Sequence, residues 1–152
     1  MSRAGLAVSM PAGNGWRSES QWTYRDDVFT LNSVFVIDRG RPTAGARCQY
    51  RLTAQRTTPE RRFEHQAFEV GGAVVEAGQM RAGSVTVAWA RIDNPEIPLS
   101  VVLGTARLPD DRQLDIEVYQ ITGDTELAGR VFKHIIDSLQ FMDNQIPKQD
   151  VI

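Results

Sequence analysis

Three residues near the C-terminus have the types a hydrolytic site needs: His134, Asp137 and Ser138. A triad requires the base to hold nucleophile and orienting carboxylate on opposite ring nitrogens, with hydrogen-bond donors facing the attacked carbonyl. These three are neighbours along one helix face, which does not give that arrangement, and they read as a solvated surface. His65 and His134 are the two histidines, and no carboxylate repeats at ligand spacing around either, so no metal site is expected. Asp26-Asp27 and Asp110-Asp111 are acidic pairs with cation-binding chemistry. Each falls at a turn, where Asp serves its own backbone hydrogen bonds. The single cysteine, Cys48, allows neither an internal disulfide nor a cysteine cage and reads as a small strand residue.

Arg51, Arg56, Arg61 and Arg62 form the densest basic cluster. A phosphate-binding surface would pair such a cluster with backbone nests or stacking aromatics; here Glu60 and Glu64 are interleaved, and the reading is a solvated face. Gly71-Gly72 and Gly104 belong to no GxxxxGK or GxGxxG motif between a strand and a helix, and read as bulges or close strand contacts. No catalytic residue, cofactor or metal is therefore assigned. A small-ligand or enzymatic role would need a polar pocket around His65 or His134.

These side chains must be positioned by a chain of 152 residues, 41% apolar and 24% charged, which suits one globular domain. A net charge of -2 and a pI near 5.7 supply no general attraction to nucleic acid or an anionic membrane surface. No apolar run is long enough to span a bilayer. The N-terminus lacks a secretory apolar stretch, which places the protein in the cytoplasm, or in the periplasm if a signal peptide preceded it.

The strongest periodic signal lies from Thr125 to Leu139, where Leu127, Val131, Phe132, Ile135, Ile136 and Leu139 stack on one helical stripe. Gly123 and Asp124 break the preceding strand and offer a cap, and Gln140 to Met142 reads as a short following strand. Upstream the chain reads as strands: Leu6 to Met10, Ser20 to Arg25, Val28 to Ile37 and, around Cys48 and Tyr50, the alternating run to Ala54. Thr58-Pro59 has the form of a helix cap and first turn, predicting a short helix from Pro59 to about Gln66. Four segments follow, from Phe68, Ser84, Leu99 and Leu114. Short links between them predict an antiparallel meander whose apolar parity faces the C-terminal helix. The fold class is α+β: an antiparallel β-sheet packed by a C-terminal α-helix, one domain over 1–143 with a loose tail over 144–152.

One helix covers one face of a sheet, yet Trp22, Tyr24, Phe35, Ile37, Trp89 and Tyr119 exceed what it can bury. The other face must be closed by the N-terminal strands, a second subunit forming a homodimer, or a ligand chain.

The segment Leu6 to Pro11 (LAVSMP) with Trp16 and Ser20, the strand Val34 to Arg39 (VFVIDR) and the helix from Val131 to Phe141 resemble the PsbP-like sandwich. Within that fold they resemble the DcrB-related bacterial proteins that include Eag chaperones of type VI secretion. The resemblance implies a non-enzymatic chaperone or adaptor for a secretion effector, with partner-binding residues Trp22, Tyr24, Phe35 and Ile37. It departs at residues 42–67, where those proteins carry a long helix and this chain reads mostly as strand and loop. Phe68 to Ala106, with Gly71-Gly72, Glu76, Trp89 and the run Pro98 to Thr105, resembles instead the second domain of type VI lipase-immunity proteins. That implies the alternative function: inhibition of a cognate toxin through hydrophilic loops at Arg39 to Arg47 or Asp93 to Pro98.

Overall fold

The computed structural model describes residues 2–3, 6–36, 42–121 and 125–141. In chain order the elements are β1 (Ser2–Arg3), β2 (Leu6–Ala7), β3 (Trp16–Ser18), β4 (Thr23–Arg25), β5 (Val28–Phe35), β6 (Ala44–Arg51), α1 (Pro59–Val70), β7 (Ala73–Ala82), β8 (Val85–Asn94), β9 (Leu99–Leu108), β10 (Arg112–Gln120), α2 (Thr125–Ser138) and β11 (Gln140–Phe141). A 3-10 turn at Pro109–Asp111 joins β9 to β10. The large sheet is antiparallel throughout, in the order β3-β5-β6-β10-β9-β8-β7, with β4 continuing the edge that β3 begins along β5. A small ladder, β1-β2-β11, ties the N-terminus to the end of α2.

Alternation decides what each face of this sheet becomes. Ala46, Cys48 and Tyr50 of β6 and Leu114, Ile116 and Val118 of β10 point to one side. There they join Ala128, Val131, Phe132, Ile135, Ile136 and Leu139 in the main core. Leu6, Val8 and Met10 enter the same core, so α2 and the N-terminal segment together close this face. Gly104 lets α2 come close to the sheet: a Cβ there would lie 2.5 Å from the Phe132 ring.

The expected α+β sheet with its C-terminal helix is observed, and several local readings change. Helix α1 runs past Gln66 to Val70, because Phe63 and Ala67 form a buried stripe that carries the helical period onward. Thr58 Oγ1 accepts the Arg61 N–H at its start, and Gly71 ends it in the left-handed region at φ 67°. Gly71 is therefore a helix cap and not a bulge, and Phe68 belongs to the helix and not to a strand. Gly72 is the expected close contact, packed against the Asp93 carbonyl, while the irregularity in β7 falls between Val74 and Glu76. Leu99, Val101 and Leu103 do not face α2. Val101 and Leu103 pack with Ile92 and Ala90 in two small clusters that also hold Ala67 and Phe63 of α1. The second sheet face thus has its own helix, over the β7–β9 end. Ile37, Arg39 to Arg41, Gly123-Asp124, Met142 and the tail from Asn144 lie outside the described residues.

Candidate functional site

On the α1 side of the sheet, the half made by β5, β6 and β10 has no helix over it among the described residues. Strand alternation makes this half polar: Arg47, Gln49 and Arg51 come from β6, Asp115 and Glu117 from β10 and Thr30 from β5. Helix α1 forms one wall, and the loop carrying Gln55, Arg56 and Thr57 closes one end. Between them lies a cleft of about 430 Å³ lined by Arg47, Arg51, Arg56, Arg61, Arg62, Gln49, Gln55, Gln66, His65 and Glu117.

Its floor is fixed by a buried carboxylate. The Asp115 side chain is only 5% exposed and accepts from Arg51 Nε at 3.0 Å, while Arg62 Nη2 lies 3.4 Å away. Thr105 Oγ1 donates to it at 2.7 Å, and Gln113 Nε2 lies 2.9 and 3.0 Å from its two oxygens. A carboxylate withdrawn from water needs such a full set of donors. Arg51 also donates to Gln49 and Arg62 to Gln55, and the Gln55 N–H donates to Gln113 Oε1 at 2.8 Å, so loop, helix and sheet share one network. Arg47 pairs with Glu117 at 2.7 Å. Of the five guanidinium groups in the cleft, three thus meet two carboxylates, Asp115 and Glu117. The site is a cation-rich recess whose inner arginines are held rigidly by Asp115 and whose outer ones face solvent.

Of the sequence-derived partner-binding residues, Trp22 is half-buried, packs against the main core, and has its indole nitrogen buried without a hydrogen-bond partner among the described residues. Tyr24 is 51% exposed, stacks on Phe29 at 4.6 Å between ring centroids and donates its hydroxyl to Asp27 at 2.6 Å. That hydrogen bond to Asp27 raises the phenol above its ordinary pKa. Phe35 is half-buried against Trp16, with ring centroids 5.4 Å apart. Register puts Tyr24 opposite Phe29, on the face that α2 covers. These residues therefore do not line the cleft.

His134, Asp137 and Ser138 each have separate employment. Asp137 pairs with Lys133 at 3.1 Å, Ser138 Oγ donates to the Ile135 carbonyl and receives the Ser9 N–H, and His134 is exposed. His65 does line the cleft, so the polar pocket that a small-ligand or enzymatic role would need is present around it, and its Nε2 lies 2.9 Å from Glu69 on the outer side of α1. Among the described residues no group of His, Cys, Asp and Glu has the geometry to hold a metal ion. Nor is any helix among them long and apolar enough to cross a membrane. Asp26 and Asp27 sit at φ 52° and 62°, as a tight hairpin turn demands.

No family model matches the chain, and no curated protein does. Among solved structures, a crystal structure of LpqN from Mycobacterium tuberculosis, described as involved in cell envelope biogenesis, superposes with a TM-score of 0.56. The match covers 90% of this chain and 84% of that one at 12% sequence identity. The likeness is one of fold. It places the whole arrangement of sheet and helices in a known architecture and leaves the cleft to be read from its own chemistry.

The sequence groups four of the cleft's arginines but reads them as a solvated face and not as a recess. Arg51, Arg56, Arg61 and Arg62 stood out as a cluster, and the polar parity of β6 was legible. The contribution of Arg47, Glu117 and above all Asp115 was not, because β6 and β10 are joined through α1 and three further strands.

Proposed function

We propose that this protein is a non-enzymatic binding domain, a chaperone or adaptor for a secretion effector, which docks a partner polypeptide on the polar half-sheet beside α1. The observation that carries this reading is the lining of the cleft. Guanidinium groups stay protonated across neutral pH and have no acceptor, so they hold and orient without accepting a proton or attacking a bond. A recess bordered by a helix wall and a bare sheet face accommodates an extended segment with its polar groups paired.

The test places a photo-crosslinking residue at Gln49 or Thr30, on the bare half-sheet, and at Arg130, on the outer face of α2, in the native host. One protein captured from the first two positions and absent from the third supports the reading. With a further crosslinking residue at Tyr24, capture there in preference to Gln49 would move the docking surface to Trp22, Tyr24 and Phe35. The captured protein also separates the two roles. An effector with a hydrophobic N-terminal segment marks a chaperone, and a toxic enzyme silenced in the complex marks an immunity protein.

A further inference from the structure

The cleft's arginines divide into two groups. Arg47, Arg51 and Arg62 each have a carboxylate within the protein. Arg56 and Arg61 line the same cleft, both are exposed, and among the described residues no hydrogen bond or ion pair engages either guanidinium. Two planar donor forks therefore stand unpaired among the described residues, in a recess whose three other arginines share only two carboxylates, Asp115 and Glu117.

We infer that Arg56 and Arg61 are an anchoring pair for carboxylates, and that the segment bound in the cleft is an acidic stretch of polypeptide; this rests on the binding reading above. Paired guanidiniums match carboxylates two hydrogen bonds at a time, and the amide of Gln66 in the same lining suits a neighbouring backbone group. A phosphate site would use backbone N–H groups at the start of α1, but the Arg61 N–H is already bonded to Thr58 Oγ1. A nucleic acid base would also find no Phe, Tyr or Trp to stack on among the described lining residues.

The experiment is an NMR titration of the full chain, following arginine Nε–Hε signals, with N-acetylated, C-amidated hexaglutamate. The expected result is a saturable shift at Arg56 and Arg61 that weakens as salt is added. The double variant Arg56→Gln, Arg61→Gln should bind about tenfold more weakly at an unchanged thermal midpoint, because neither side chain has a partner among the described residues to lose. An equal response to hexaglutamine would overturn the inference. So would displacement of hexaglutamate by equimolar inorganic phosphate, which would assign the pair to phosphate. If hexaglutamate binds at Arg56 and Arg61 but the crosslinker at Gln49 captures no protein, the polypeptide reading fails and the carboxylate site stands. If a partner is captured and hexaglutamate leaves both arginines unmoved, the carboxylate assignment alone fails.

Discussion

Asp115 shows what a single residue decides in this protein. Its carboxylate is withdrawn from solvent and takes hydrogen bonds from Thr105 and Gln113 and charge from Arg51 and Arg62. Replacing it with Asn keeps the shape but leaves two half-buried guanidiniums without their counter-charge. Asp115→Asn should therefore cost about 3 kcal/mol of stability in urea unfolding. A loss below about 0.5 kcal/mol would mean the pair is solvated in practice. Cys48 makes the opposite case, a reactive type made inert by position. It is fully buried in the main core, and burial, followed by the nearby Asp115 charge, pushes its thiol well above the ordinary range. A disulfide-exchange reagent should label it only on unfolding. The linkage has a definite sign: above about pH 9 the unfolded chain releases a proton that the native state keeps, so Cys48 makes stability fall as pH rises.

At the scale of elements, the packing of α2 across the sheet rests on one missing side chain. Gly104 of β9 admits the Phe132 ring, and Val87 of β8 adjoins the same spot, 3.1 Å from where a Cβ would sit. Gly104→Ala should destabilise by about 2 kcal/mol through overpacking. The added variant Phe132→Leu should recover part of that loss, and a thermal-unfolding double-mutant cycle measures the coupling. Strict additivity would show that the ring moves aside freely. Tyr119 plays the matching part on the other face, lying across Gly45, its partner in the β6–β10 ladder, where a Cβ would strike the ring. Helix α1 depends on local signals at both ends, the Thr58 cap and Gly71, and its short buried stripe of Phe63 and Ala67 explains why the sequence alone ended it too soon.

For the molecule as a whole, one edge of the large sheet ends at β7, whose outer side pairs with no strand among the described residues. Val74 and Val75 are 40% and 51% exposed there, and Phe68 of α1 is 84% exposed nearby. Such an edge recruits further strands unless something blunts it. Here the bulge between Val74 and Glu76, with the charges of Glu76 and Arg81, supplies that protection. Glu76→Val combined with Arg81→Val should increase self-association over the parent chain at equal concentration, measured by sedimentation velocity. An unchanged sedimentation profile would show that the bulge alone suffices.

What the sequence determined by itself was the part of the fold with a strong short-range period or clear turn chemistry. The α2 stripe from Leu127 to Leu139, the alternation of β8 and β10, the Thr58-Pro59 helix start and the α+β class all follow from spacing along the chain. The tertiary structure decided which faces those elements present to each other. Arg47 and Glu117 are seventy residues apart in the chain, and Arg51 and Asp115 sixty-four, so their pairing exists only through the β6–β10 ladder. The same ladder turned an arginine cluster that reads locally as a solvated face into the border of a cleft. Strand pairing is long-range, and no window of sequence contains both partners. That is the physical reason the fold was legible while the site was not.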